Sequence, residues 1–241
     1  MPTNWFDETA AATYDDDLEP LPEAGIDVLA QLAGPRGRAL ELAIGTGRVA
    51  LPLAARDVTV AGIELSPAML ARMRTKAGGD EESIPVIVGD MTTEHMPGPF
   101  DLVYLVFNTI MNLVTQDAQV ACFANAARHL RPAGVFVIET MIPALRLLPP
   151  GQRFVACEVT ARHVGVDEYD LTTQTLTSHH TSSRADSCIE RSSVPFRYVW
   201  PTELDLMARL AGLRLRDRWA DWDRAPLTET SGSHVSVWGK D

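Results

Sequence analysis

Ala39-Leu40-Glu41-Leu42-Ala43-Ile44-Gly45-Thr46-Gly47-Arg48-Val49-Ala50 decides how this 241-residue chain is read. An apolar run comes first, then a turn with two glycines, then residues that suit a helix. A strand that passes through a glycine-rich turn into a helix is the opening unit of a parallel α/β sheet. Glycine in such a turn lets a ligand approach the backbone without meeting a Cβ. The start of the helix also offers unpaired N–H groups to an anion.

The same alternation extends to either side. Residues 21–33 read as a helix ended by Gly34-Pro35, 38–42 as the first strand and 48–56 as a helix. Residues 58–63 form a second strand. Ser66-Pro67 then supplies an N-cap and a proline at the first helical position, opening a helix to about residue 76. Residues 86–88 and 100–106 are the third and fourth strands. Thr115 caps a helix reaching residue 130, closed by Arg131-Pro132-Ala133-Gly134, and 135–138 is a fifth strand. Strands that are apolar on both faces and alternate with helices predict a doubly wound, Rossmann-like α/β fold around a mostly parallel sheet. Ligands in such sheets bind beyond the carboxyl ends of the strands.

The alternation changes after Leu147-Leu148-Pro149-Pro150-Gly151. Residues 154–164, 169–179 and 189–200 show period-two patterning, which predicts a three-stranded antiparallel insert with Val194, Phe196, Tyr198 and Trp200 on one face. Thr202 and Asp205 resemble a capping box for a helix to residue 211. Residues 213–219 and 235–238 then read as the last two sheet strands, joined by a long loop. The expected division is an N-terminal helical cap over residues 1–35, a main domain over 36–148 and 201–241, and a β insert over 149–200. The insert reads as a substrate-facing cap, with a plain sheet extension or an interface for a homodimer as the alternatives.

Twenty-one Lys and Arg against 32 Asp and Glu give a net charge of −11. That balance argues against duplex nucleic acid and anionic membranes as partners, because both call for a basic surface. No run of about 18 apolar residues predicts a membrane span. Met1-Pro2-Thr3-Asn4-Trp5-Phe6-Asp7-Glu8 lacks a basic region followed by an apolar stretch, so no signal peptide is expected. Cys122, Cys157 and Cys188 are odd in number and widely spaced. They read as reduced thiols of a cytoplasmic protein, with neither a disulfide framework nor a metal pattern.

Four chemical signals fall at the ends of four successive strands: the Gly45–Gly47 turn, Glu64, Asp90-Met91 and Phe107-Asn108. Gly45-x-Gly47-x-x-Ala50 satisfies the dinucleotide fingerprint, and a carboxylate at the position of Glu64 suits ribose hydroxyls. Taken together, Glu41-x-Ala43-x-Gly45-Thr46-Gly47, Gly62-Ile63-Glu64-Leu65-Ser66-Pro67-Ala68-Met69, Gly89-Asp90-Met91 and Phe100-Asp101-Leu102-Val103 resemble the class I S-adenosylmethionine (SAM)-dependent methyltransferases. The narrower likeness is to bacterial small-molecule enzymes such as the aminosugar N-methyltransferases, which also carry a late β insert.

The resemblance implies seven strands with the last antiparallel, SAM as cofactor with S-adenosylhomocysteine (SAH) as product, and a small-molecule acceptor such as a metabolite or natural product; no metal is expected, because no His, Cys and carboxylate spacing suggests a metal site. It also implies roles. The turn at Ala43, Gly45, Gly47 and Arg48 would pass under the methionine part, and Glu41 would reach its ammonium. Glu64 would hold the ribose. Leu65 and Met69 would sandwich the adenine, and Asp90 and the Met91 N–H would read its edge. Phe107 and Asn108 would line the space near the sulfonium. Tyr14, in a stretch expected to fold over the pocket, would reach the cofactor carboxylate or the methyl group. The family's first turn glycine is Ala43 here, which is tolerable if the turn keeps a negative φ.

No residue stands out as a general base. Asn108, Tyr14 and His180 are the candidates for orienting the acceptor, with His180 a base if the acceptor is a hydroxyl. His179 and His180 are neighbours on a strand, so at most one faces a pocket. His129, at a helix end, reads as structural. His163 and His234 have no supporting context, and the acidic Asp15-Asp16-Asp17 reads as solvated. Two competing readings remain at this level: a non-catalytic SAM-binding protein, and an NAD(P)-dependent oxidoreductase. The second lacks a Tyr-x-x-x-Lys dyad and gives Asp90-Met91 no role.

Overall fold

A computed structural model describes residues 4–15, 19–183 and 189–241. Asp16, Asp17 and Cys188 lie outside the described residues. In chain order the elements are α1 (Glu8–Thr13), α2 (Glu23–Ala33), β1 (Arg38–Leu42), α3 (Ala50–Ala54), β2 (Thr59–Glu64), α4 (Pro67–Arg74), β3 (Val86–Val88) and β4 (Phe100–Leu105). They continue with α5 (Gln116–His129), β5 (Leu130–Met141), β6 (Phe154–Val159), β7 (His163–Asp170), β8 (Thr175–Ser183), β9 (Ile189–Arg197), α6 (Pro201–Leu210), β10 (Leu213–Trp219) and β11 (Ser233–Lys240).

Seven strands form one sheet in the order β10-β11-β5-β4-β1-β2-β3. The pairs among β1 to β5 are parallel, while β11 is antiparallel to both β5 and β10. β1 lies between β2 and β4, so the strand order reverses there and a crevice opens beyond its carboxyl end. Alternate residues serve opposite faces. Leu40, Leu42, Phe136 and Trp238 pack with Phe123 of α5 and Met207 of α6. Ala39, Leu102, Tyr104 and Val137 pack with Ile26 and Leu29 of α2 and Leu53 of α3.

The expected caps form at Ser66, whose Oγ accepts the Met69 N–H, and at Thr115, whose Oγ1 accepts the Ala118 N–H. Other expectations need correction. The helix after the glycine turn is short, running only from Ala50 to Ala54. Arg131-Pro132-Ala133-Gly134 does not stop α5, because β5 begins directly at Leu130. The Thr202–Asp205 box does not form: Trp200 is the N-cap and Pro201 opens α6. Asp205 is engaged elsewhere, accepting the Trp238 indole N–H at 2.9 Å and pairing with Arg218 at 2.6 Å.

The insert has four strands, in the order β6-β7-β8-β9, not three. A turn at Thr160 splits the first predicted run: the Thr160 N–H reaches the His163 carbonyl, and Thr160 Oγ1 accepts the His163 N–H. The predicted apolar stripe also divides. β9 ends at Arg197, so Phe196 stays on the sheet face, while Tyr198 packs on Tyr169 with ring centroids 5.6 Å apart. Trp200 lies beyond the strand, at the start of α6. Buried Arg197 ties the insert to the helices over the main sheet, donating to Gln119 of α5 and pairing with Glu203 of α6 at 2.7 Å. Among the described residues no helix is long and apolar enough to cross a membrane.

Candidate active site

The site grows out of the turn after β1. Ala43, Gly45 and Gly47 have φ of 56°, 58° and 77°, all in the left-handed region. The condition under which an alanine costs nothing here, a negative φ, is therefore not met. The Ile44 N–H is tied to the Ile63 carbonyl and the Gly47 N–H to the Ile44 carbonyl, and this tight turn imposes the conformation. A left-handed alanine costs about 1 kcal/mol. Gly47 is required twice over, since a Cβ there would also lie 2.9 Å from Met73 Cγ.

Two carboxylates stand beside this turn. Glu41 is the β1 register partner of Tyr104 on β4, on the sheet face that also carries Ala39 and Val137. It is buried, and its Oε2 accepts the Tyr104 hydroxyl at 2.9 Å. Burial dominates its acidity, with the Glu64 charge adding to the effect, and pushes the carboxyl up to about 8. Glu64 ends β2. Its Oε2 accepts the Gly45 N–H and its Oε1 the Ser66 N–H, both at 2.7 Å. Burial raises its pKa, and these N–H groups counter the rise. Each oxygen keeps a second acceptor position.

Three cavities meet around Ala43. The first is walled by Trp5, Phe6, Glu64, Leu65, Asp90, Met91 and Leu113, among others. Asp90 Oδ1 is occupied by the Thr92 N–H and hydroxyl, both at 2.8 Å. The second holds Tyr14, Glu41, Gly45, Thr46, Arg48 and Phe107. The third is bordered by Glu64, Met69, Phe107, Asn108, Glu139 and Phe196, with Tyr14 and Arg48 shared from the second. Met69 lies close to Gly45 and lines the third cavity, while Leu65 lines the first.

The N-terminal segment closes over these cavities. Asp15 receives the Thr46 hydroxyl at 2.5 Å and pairs with Lys76 at 2.8 Å. Burial acts upward on Asp15, but these two partners outweigh it and hold the carboxyl below its usual range. The Ser66 hydroxyl donates to the Phe6 carbonyl. Tyr14 and Phe107 sandwich Arg48, whose guanidinium carbon lies 4.9 Å and 4.2 Å from the two ring centroids. Burial raises the Tyr14 phenol pKa, against the opposing pull of Arg48.

Phe107 and Asn108 follow β4 with φ of 56° and 62°, two consecutive left-handed residues without glycine. The end of β5 holds them there. Glu139 Oε2 accepts the Phe107 N–H at 2.9 Å, and Asn108 Oδ1 accepts the Met141 N–H at 2.6 Å. That bond fixes the amide orientation of Asn108 and leaves its Nδ2 for the cavity.

His180 is not brought to this place. Phe196 pairs with Leu176 on β8, and His180 lies four residues further along that strand, roughly 13 Å beyond the cavity wall. There its Nδ1 is 2.9 Å from His163 Nε2 and its Nε2 is 3.0 Å from Ser178 Oγ. Burial and the neighbouring His163 lower its pKa. His129 is structural: Nε2 accepts the Met96 N–H at 3.0 Å and Nδ1 meets the Asn125 carbonyl at 2.8 Å.

Sequence reasoning missed Glu139, Tyr104 and the strap from Asp15 to Thr46, and named Phe196 only as part of the insert's apolar face. Glu139 carried a usable signal, being a carboxylate at the end of the fifth strand. Tyr104 required the β1–β4 register, which a single sequence does not display.

A methyltransferase-domain family matches residues 39–134. The CcbJ methyltransferase of Streptomyces caelestis has the same fold over 96% of both chains, with 34% identity and a TM-score of 0.83. The cypemycin N-terminal methyltransferase of a Streptomyces species is 25% identical over 96% of both chains. SAM-bound CalS10, an amino pentose methyltransferase of Micromonospora echinaspora, shares the fold at 22% identity, with a TM-score of 0.71 over 99% of both chains.

Proposed function

This chain belongs to the class I SAM-dependent methyltransferases, and we propose that its three cavities divide cofactor and acceptor between them. The enzyme transfers a methyl group from SAM to a nitrogen or oxygen nucleophile of a small molecule by in-line displacement. In our reading Leu65, Asp90 and Met91 hold the adenine in the first cavity, with Asp90 Oδ2 and the Met91 N–H at its edge. Glu64 takes the ribose hydroxyls on its two remaining acceptor positions. In the second cavity Glu41 receives the ammonium of the methionine part and Arg48 its carboxylate. The third cavity takes the acceptor between Tyr14, Phe107, Asn108, Glu139 and Phe196.

The observation that carries this reading is the donor and acceptor set around Ala43. A buried carboxyl (Glu41), a stacked guanidinium (Arg48) and a doubly capped carboxylate (Glu64) match an ammonium, a carboxylate and a vicinal diol in turn. Bound there, SAM supplies a methyl carbon already activated as a sulfonium substituent. The protein's contribution is alignment, worth at most about 7–11 kcal/mol in ideal intramolecular cases. Asn108 Nδ2 orients the acceptor, and Tyr14 closes the cavity from the N-terminal side. The insert caps the third cavity through Phe196. The free thiols of Cys122 and Cys157 and the acidic charge support a cytoplasmic enzyme.

A thermal-shift measurement with SAH, beside NADH and NADPH, tests the proposal. Ligand at 100 times its dissociation constant adds about 2.7 kcal/mol, or roughly 5–10 °C for a chain of this size. SAH alone is expected to give that shift. A shift with only a nicotinamide nucleotide would overturn the reading.

A further inference from the structure

The third cavity contains a carboxylate whose role in holding the fold does not account for its charge. Glu139 stands at the carboxyl end of β5 and is half-buried. Oε2 accepts the Phe107 N–H at 2.9 Å, and the Glu139 carbonyl receives the Asn108 N–H at 3.4 Å. Among the described residues, no hydrogen bond reaches Oε1 and no Lys, Arg or His nitrogen pairs with this carboxylate. A glutamine would hold the Phe107 N–H equally well through its amide oxygen. The negative charge is therefore surplus to the turn.

The surroundings indicate what supplies the counter-charge. Among the described residues, Glu19, Glu64 and Glu139 border the cavity together with one cation, Arg48, which is stacked against Tyr14 and Phe107. Phe6 and Phe196 add aromatic surface. Carboxylates beside aromatic rings favour an organic cation.

We propose that the acceptor is an amine that arrives protonated, and that Glu139 Oε1 binds its N–H and removes one proton. This rests on the methyltransferase reading and narrows it from nitrogen or oxygen to nitrogen. An ammonium has no lone pair, so it must lose a proton before it can attack. The proton passes to Glu139, and the freed nitrogen lone pair forms the N–CH3 bond. The S–CH3 bond breaks with its electrons on sulfur, leaving a neutral thioether and a methylated ammonium. A hydroxyl gains less here, because it is a far weaker acid than an ammonium and a carboxylate is too weak a base to remove its proton.

Sinefungin probes this without an identified acceptor. It is a cofactor analogue in which an amine-bearing carbon replaces the methyl-bearing sulfonium, so its ammonium projects toward the acceptor's place. Calorimetry at pH 7 compares sinefungin with SAH in the wild type and in E139Q. The wild type is expected to prefer sinefungin by about tenfold or more, the scale of one charge-assisted hydrogen bond. E139Q should remove most of that preference while SAH affinity stays nearly constant. The same sinefungin-to-SAH ratio in both proteins would overturn the assignment. If E139Q does not fold, the wild-type ratio decides, and equal affinities overturn the assignment. Failure of the wild type to bind either ligand would instead remove the methyltransferase reading, and this assignment with it.

Discussion

The Tyr104 hydroxyl donates to Glu41 across 2.9 Å because the two residues are register partners on adjacent parallel strands. The acceptor is a buried carboxyl whose pKa is pushed up to about 8 by burial, against the pull of this hydrogen bond. Under the proposed placement of the cofactor's ammonium beside Glu41, a carboxyl with its acidity shifted this far couples cofactor binding to proton release.

That coupling makes SAH affinity dependent on pH. On the proposed placement the ammonium of SAH favours ionised Glu41, so binding below the folded pKa displaces a proton. Affinity is expected to weaken by up to tenfold per pH unit as the pH falls below about 8. Calorimetry in buffers of different ionisation enthalpy should report nearly one proton released at pH 7 in the wild type and none in Glu41→Gln. Equal proton release in both proteins would contradict the assignment.

The same group makes a prediction for ligand-free stability. A carboxyl raised from 4.5 to about 8 on folding contributes fully below the unfolded value. Its contribution is lost as the pH rises through the folded value, leaving a deficit on the order of a few kcal/mol above pH 8. Glu41→Gln should therefore flatten the fall in Tm between pH 5 and pH 8, as followed by thermal denaturation. An unchanged pH profile would contradict it.

Ala43 stores strain at φ 56°. Ala43→Gly should relieve it and stabilise the chain by up to about 1 kcal/mol, or 2–4 °C in Tm. A drop in Tm would mean that the turn does not hold this conformation in solution.

Arg48 is planar and lies between two rings. Arg48→Ala should cost about 10- to 100-fold in SAH affinity, or 1.4–2.8 kcal/mol. Arg48→Lys should recover little, because an ammonium neither stacks nor forms a bidentate pair with a carboxylate. Full recovery by lysine would show that charge alone matters.

His180→Gln should leave the pH–rate profile unchanged, since His180 sits in a chain with His163 and Ser178 away from the cavities. A lost limb in the profile would return His180 to the role of base.

Much of the main sheet was legible because its signals are local. Apolar runs such as Leu40 to Leu42, the Ser66-Pro67 cap and the glycines of the turn act within a few residues. Glu64 and Asp90 were legible because a fixed spacing carries them to strand ends. The rest depended on tertiary placement. The φ of Ala43 is imposed by a bond from Ile44 to Ile63 on the next strand. The fourth insert strand depends on a side-chain turn at Thr160, and the short α1 is held against α4 by packing that its own six residues do not announce. Glu139 stood legibly at a strand end, but its contact with Phe107 emerges only when β5 and β4 lie side by side.

The central claim is that Glu64 and its neighbours form a SAM site. Titration calorimetry of SAH against the wild type and Glu64→Ala tests this most directly. We predict one-site binding to the wild type and a loss of about 100-fold or more in the variant, near 2.8 kcal/mol for two charge-assisted bonds. Absence of SAH binding to the wild type, or equal affinity in Glu64→Ala, would contradict it.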